Sequence, residues 1–170
     1  MKFSEDYKKL KESSEFNLFK QENPDAFLSG CFFVKDNEAK IETRQIDFFM
    51  LHKNKIATFT ISNEIFLRIE DQIIIENKRN PLEFIDGIEC DFDKIEIMMN
   101  EELEKKVVDR KINKIIAVLH NYENKNLWIV TVMLNNFNML KLKVDADNGE
   151  ILESKVSNLF DMVRIEKKEK

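Results

Sequence analysis

The segment Lys141–Leu152, KLKVDADNGEIL, decides the fold that we expect for this chain. Apolar residues occupy every second position around its start, which is the period of a strand with one buried face. These residues are Leu140, Leu142 and Val144. The residues of the predicted turn are Asp145, Asp147, Asn148 and Gly149. Because Asn and Gly accept positive φ angles and Asp bonds to nearby backbone, a strand and then a tight turn are predicted.

Length and composition predict a globular protein. The chain has 170 residues, enough for one domain or two very small ones. Hydrophobic residues make up 43% and charged residues 35%, a balance that disordered chains lack. The formal net charge is -5, whereas a protein that binds nucleic acid needs a basic face. We therefore expect no nucleic-acid partner.

Hydropathy and cysteine content bear on the compartment. The sequence contains no run approaching the roughly 18 apolar residues of a membrane span. The N-terminal stretch 1–16 has no apolar core of signal-peptide type. Cys31 and Cys90 form no CxxC pair and have no companion histidine, so we expect two buried free thiols. The prediction is a cytoplasmic protein without a membrane partner.

The first half of the chain reads as a helix followed by strands. Ser4 is placed to cap a helix that ends at Asn23-Pro24, with acidic residues in its first turn. Turn residues then separate three predicted strands, which are Phe27–Lys35, Ile41–Leu51 and Ile56–Ser62. Ile65–Ile75 is compatible with a helix by its spacing and with a strand by its β-branched residues, so both remain open.

The second half repeats this order after a mixed connector, Leu82–Asp93. Asn100 is placed to cap a helix with two glutamates in its first turn. Three further strands are predicted at Ile112–Tyr122, Leu127–Leu134 and Met139–Ala146. Ser154 then caps a last predicted helix, because an apolar stripe at helical spacing follows it. The stripe consists of Val156, Leu159, Phe160 and Val163.

The end of the second half resembles a known family. A strand containing Trp128, a turn, and then Val144–Ile151, VDADNGEI, are similar to the end of a PepSY-type domain. Such domains usually end in a strand that reads val-asp-ala-x-thr-gly-glu-ile, and Asn148 stands where Thr is common. The resemblance covers roughly Met99–Ser157. It implies a binding or inhibitory role, often outside the cytoplasm, and no catalytic residues.

We predict an α+β fold of two similar PepSY-like units, each a helix plus an antiparallel three-stranded meander. The first unit is 1–80, a connector follows at 81–98, and the second unit with its C-terminal helix is 99–170. Low residue identity between the halves leaves chance similarity of two meanders as an alternative. A true repeat would place two curved sheets against each other or edge to edge.

Aromatic residues at adjacent strand positions predict a sheet that is covered on both faces. Phe32 and Phe33 point to opposite sides of a strand, and so do Phe48 and Phe49. Helices, the other half or a partner chain must cover the second face. Phe48, Phe49 and Trp128 are therefore candidate binding residues, although a tryptophan within a strand is more often part of the core.

No catalytic, metal or cofactor site is expected. Counted from Asp145, an EF-hand loop needs glycine sixth and glutamate twelfth, but Gly149 is fifth and Val156 is twelfth. His52 and His120 have no Cys, Asp or His at ligand spacing, so both are predicted to be solvated or incidental. The sequence contains no nucleophile, zinc or phosphate-loop motif, so we predict no catalytic residue, no metal and no cofactor.

Three functions remain open at this point. The leading hypothesis is a non-enzymatic binding or regulatory module that recognises a protein or peptide partner. The second is a structural subunit or scaffold, such as a homodimer, which buries apolar sheet faces between copies. The third is a small-ligand-binding protein or enzyme with a cavity between sheet and helix, in which His120 or Asp145 acts as acid or base.

Overall fold

The computed structural model describes residues 2–70, 88, 90–106, 111–135, 137–158 and 160. Three helices lie within these ranges: α1 (Phe3–Lys11), α2 (Ser14–Glu22) and α3 (Phe92–Lys106). The first four strands are β1 (Phe27–Asp36), β2 (Ile41–Met50), β3 (Lys55–Ile61) and β4 (Ile65–Ile69). The other four are β5 (Ile112–Tyr122), β6 (Lys125–Leu134), β7 (Asn138–Asp145) and β8 (Ile151–Asn158). The fold is α+β, as predicted, and consists mostly of sheet.

All eight strands form one antiparallel sheet in the order β4-β3-β2-β1-β5-β6-β7-β8. Each half of the chain contributes a meander, and the two meanders meet edge to edge where β1 pairs with β5. The meanders have four strands each, one more than predicted, because β4 pairs with β3 and β8 pairs with β7. The division into two PepSY-like units stays a prediction.

The three helices pack on one face of this sheet and enclose the main core. Rings of Phe16 and Phe19 from α2 meet Phe48 and Phe59 of the sheet with centroids 5.1 to 5.9 Å apart. From α3, the ring of Phe92 lies 5.6 Å from that of Phe33 and 5.9 Å from that of Trp128. The Trp128 Nε1–H donates to the Cys90 carbonyl at 2.8 Å, so this buried indole is hydrogen-bonded. Both cysteines are buried free thiols, as expected.

The carboxylate of Asp91 joins the first helix to the third. It accepts the backbone N–H of Phe3 at 2.7 Å and of Ser4 at 3.0 Å, both in the first turn of α1. It also accepts the N–H of Phe92 at 2.6 Å, where α3 begins. One side chain therefore satisfies N-terminal donors of two helices that are distant in sequence.

The N-terminal segment differs from its prediction. Two helices replace the single predicted one, because Ser13 adopts an extended conformation and its hydroxyl caps α2 by accepting the Phe16 N–H at 3.2 Å. The residue before α1 is Lys2, which makes no side-chain cap. Ser4 lies inside α1 and does not cap it; its hydroxyl donates to Asp91 at 2.5 Å.

The second half contains two further differences. The third helix begins at Phe92, and Asn100 is an interior residue of it, because Asp91 provides the cap more than two turns before the predicted site. Ser154 does not begin a helix either, since the chain pairs with β7 there as strand β8. Its hydroxyl donates to Glu102 of α3 at 2.5 Å. Leu159 and Val163 of the predicted stripe lie outside the described residues.

The turn that ends β7 agrees with its prediction. Gly149 has a φ of +78°, the left-handed conformation that favours glycine. Asp145 is buried, and its Oδ1 accepts the N–H of Asp147 at 3.0 Å. Of the segment left open between helix and strand, Ile65–Ile69 is strand β4. The rest of that segment beyond residue 70 lies outside the described residues.

Candidate functional site

The three aromatic residues predicted to bind a partner are all buried. Phe48 and Trp128 face the helices within the main core. Phe49 lies on the other face of the sheet, where its ring packs against that of Phe27 at 5.5 Å. Each residue therefore has a packing role, and a binding role for them stays a prediction.

The face of the sheet opposite the helices, called here the open face, carries the candidate site. Directly paired residues of neighbouring antiparallel strands share a face. One continuous row crosses seven strands, and we call it the Gly30 row. It consists of Arg68, Thr58, Asp47, Gly30, His120, Leu127 and Asp145. Apart from Gly30 and Leu127, the residues of the row are polar. Gly30, which has no side chain, lies at its centre.

An apolar strip runs beside the Gly30 row on the same face. Its residues belong to the two middle strands and to β6, and all are partly buried. They are Phe32, Val34, Ile116, Val118 and Ile129. Polar residues flank the strip on both sides, with Thr43 and Gln45 on β2 and Lys141 and Lys143 on β7. The open face thus has an apolar centre and a polar margin.

A depression of about 410 Å³ lies over Gly30. Its polar lining includes Asp47, Thr58 and His120, and its apolar lining includes Phe32, Ile56 and Val118. Gly30 pairs with Asp47 on one side and with His120 on the other. Because Gly30 has no side chain, the floor between these two polar residues is open.

The carboxylate of Asp47 is oriented by its neighbour. The Thr58 hydroxyl donates to Asp47 Oδ1 at 2.7 Å. Burial raises the pKa of Asp47, and the Thr58 hydrogen bond opposes that shift without cancelling it. The nearby Glu70 raises the pKa further, whereas Arg68 lowers it. Asp47 is therefore a partly buried acid whose Oδ1 accepts the Thr58 hydroxyl.

His120 was predicted to be solvated or incidental, and the structure shows that it is not fully solvated. It is partly buried, and burial together with the charge of Lys143 lowers its pKa. The imidazole is consequently neutral at pH 7. Its ring lies 6.4 Å from that of Tyr122, and the Lys143 Nζ lies 5.7 Å from the Tyr122 centroid. His52 is exposed, but its Nδ1 lies 2.5 Å from the carboxylate of Asp25, which is distant in sequence.

Gly30, Asp47 and Thr58 were missed by the sequence argument. An isolated glycine inside a strand often marks a bulge or a close approach of another group. The pairing of β1 with β2 is indeed irregular between Leu28 and Gly30. The isolated glycine is visible in the sequence, but the sequence does not show which strands pair with β1 on either side of Gly30. Asp47 and His120 therefore could not be placed beside it.

Within the described ranges, no group of three or more His, Cys, Asp or Glu residues is arranged to hold a metal ion. No described helix combines the length and the apolar character that a membrane crossing requires.

Comparison with known proteins supports the fold and no more. No family model matches the chain, and no curated protein matches it in sequence. The crystal structure of a putative lipoprotein from Clostridium difficile 630 is similar, with a TM-score of 0.52 and 13% sequence identity. The similarity covers 84% of this chain and 90% of that chain. At this identity the likeness concerns the fold alone, and the PepSY resemblance stays a prediction.

Proposed function

We propose that this protein is a non-enzymatic binding module and that a protein or peptide partner lies across the open face. The observation that carries the proposal is the partly buried apolar strip on the face opposite all three helices. Covering such a strip removes apolar surface from water, which contributes about 25 cal/mol per Å². The hydrophobic effect therefore favours a partner on this face.

The margin of the strip supports the same role. Protein interfaces commonly have an apolar centre and a polar rim. Here the lysines Lys141 and Lys143 border one side, and Thr43 and Gln45 border the other. The rim can supply hydrogen bonds and charge complementarity, which give specificity more than affinity. An acidic or polar segment of the partner is expected over the two lysines.

The spacing of the two titratable groups at the centre favours binding over catalysis. Asp47 and His120 are separated by Gly30, so their backbones lie two strand spacings, or about 10 Å, apart. No hydrogen bond joins their side chains in the described structure. A nucleophile that is activated by a base needs hydrogen-bond contact with that base. This separation supports a module without catalytic residues.

Site-specific photo-crosslinking in cells tests the proposal. A benzoylphenylalanine at Ile129 places the reactive group on the open face, whereas one at Ile97, which is 59% exposed on α3, places it on a helix. We expect one adduct of defined mass from position 129 and none from position 97. Identical adducts from both positions, or no adduct from 129, would contradict the proposal. Circular dichroism of both variants checks that the fold is retained.

Self-association is the second candidate function, and strand β4 favours it. Among the described strands it ends the sheet, and it exposes Phe66 at 57%, Leu67 at 40% and Ile69 at 43%. Exposed apolar side chains on a terminal strand are a surface through which two copies can pair. Light scattering should give twice the chain mass of 20.2 kDa for the native protein and a monomer for Phe66→Lys. A monomer in both cases would exclude the scaffold.

The cytoplasmic location also remains a proposal. The free thiols of Cys31 and Cys90 are compatible with a reducing compartment. Cell fractionation with an antibody against the protein tests it, and recovery in the membrane or the medium would contradict it.

A further inference from the structure

We propose that the depression over Gly30 binds a small molecule that carries an alkylammonium group on an apolar body. This site shares Phe32 and Val118 with the apolar strip of the open face, but its polar group is Asp47, which lies outside the strip. The features that define the site are the space above Gly30, the orientation of Asp47 and the apolar walls.

The space lies over a position that has no side chain. In the Gly30 row, the residues on either side of Gly30 are Asp47 and His120, and neither neighbour fills the gap between them. A volume of about 410 Å³ lies within the range of small-ligand pockets, roughly 300 to 1,000 Å³. The depression is therefore large enough for a ligand of several heavy atoms.

The second oxygen of Asp47 faces this space. Thr58 binds Oδ1, whereas Oδ2 lies 3.9 Å from the point that a Cβ on Gly30 would occupy. Thr58 is the described side chain that donates to this carboxylate, so Oδ2 retains its capacity to accept. A partly buried carboxylate is stabilised by a cation that donates a hydrogen bond to it.

The remaining lining suits an apolar body next to that cation. Phe32, Ile56 and Val118 provide apolar walls. His120 is neutral at pH 7, so it does not repel an ammonium group and offers a ring nitrogen for a hydrogen bond. A few placed polar groups among apolar walls are the usual composition of a small-molecule site.

Binding of phenethylamine to the isolated, ¹⁵N-labelled full chain tests the site by NMR. We expect saturable shifts of the amide signals of Gly30, Asp47 and His120. Phenethyl alcohol, which has the same body without the charge, should bind at least tenfold more weakly, since a charged hydrogen bond is lost. Equal binding of amine and alcohol, or no saturable shift at these amides, would overturn the proposal.

Variants distinguish the pocket from general attraction to an acidic protein. Asp47→Asn should weaken phenethylamine binding at least tenfold, and the exposed control Glu42→Gln should leave it unchanged. Gly30→Ala is expected to fold, because the added Cβ meets only the Leu119 carbonyl at 3.5 Å and Asp47 at 3.9 Å. It should weaken binding by filling the floor. Unchanged binding in both Asp47→Asn and Gly30→Ala would refute the site.

A lysine side chain of a protein partner carries the same ammonium group. Nα-acetyl-lysine N-methylamide, which keeps the side-chain ammonium group, is therefore a second probe. We expect it to bind more weakly than phenethylamine. Tighter binding of the lysine probe would overturn the small-molecule assignment in favour of a partner's lysine. Because both probes are tested on the isolated chain, the result is independent of the photo-crosslinking result.

Discussion

Asp91 should contribute more to stability than any other single exposed or partly buried carboxylate near the helix ends. Its side chain accepts the N–H groups of Phe3, Ser4 and Phe92 and the hydroxyl of Ser4 at distances of 2.5 to 3.0 Å. Asp91→Ala removes all of these bonds and leaves the first turns of α1 and α3 without this acceptor. Loss of a helix cap costs about 0.5–2 kcal/mol. With two helices affected, we expect a loss of about 2–3 kcal/mol.

The pH dependence of Asp91 follows from the same contacts. Burial by itself raises the pKa of Asp91, but the hydrogen bonds from Ser4, Phe92 and Phe3 outweigh burial and lower it. A carboxyl group whose pKa is lower in the folded state stabilises the fold above its unfolded pKa, near 4. That contribution is lost as the pH falls through the folded pKa. The stability difference between wild type and Asp91→Ala should therefore shrink in acid.

Urea unfolding measured at pH 7 and again near pH 3 provides the assay. Asp93→Ala is the matched control, because Asp93 lies in the first turn of the same helix and its carboxylate accepts only the neighbouring Lys94 N–H among the described hydrogen bonds. We expect the control to cost less than about 0.5 kcal/mol. Equal midpoints for Asp91→Ala and wild type at pH 7 would refute the reasoning, as would a difference that grows in acid.

Three further predictions concern the turn after β7 and the contact between α3 and β8. Gly149→Val should lower the free energy of unfolding in urea by about 1–3 kcal/mol, because φ is +78° and the Met98 Cε lies 3.3 Å from the added Cβ. An unchanged urea midpoint would contradict the strained turn. Asp145→Ala should lower the free energy of unfolding by about 1–2 kcal/mol, since its carboxylate is buried and hydrogen-bonded. Added calcium should not alter the melting temperature of the wild type or of Asp145→Ala. Hydrogen bonds from Ser154 and two lysines lower the pKa of Glu102 to about 2, so stability should fall between pH 4.5 and 2. Because the lysines are solvated, Glu102→Gln should remove only about 1 kcal/mol of that pH dependence in thermal melts, and an unaltered pH profile would exclude the contribution.

The contacts of the chain explain which sequence predictions could succeed. Six of the strands, the turn at Gly149 and the core position of Trp128 were predicted from local pattern, and all are present. Period-2 alternation and turn residues act over a few neighbouring positions, so a short window contains the information. Helix ends were less predictable. The cap of α1 is Asp91, which is far away in the sequence and approaches only after folding.

Strand β8 shows how tertiary pairing overrides a local pattern. Its residues around Ser154 and Val156 are compatible with an amphipathic helix, yet the edge of β7 offers a ladder of backbone hydrogen bonds.

Tertiary pairing of strands also assembles the candidate site. The sequence by itself determined the alternating strands, the turns, the acidic charge and the excess of apolar residues. Only the tertiary structure decided that β1 pairs with β5. This pairing places His120 beside Gly30, on the side away from Asp47. Strand pairing over such distances depends on the packing of the whole sheet beneath the helices, which no local window of sequence contains.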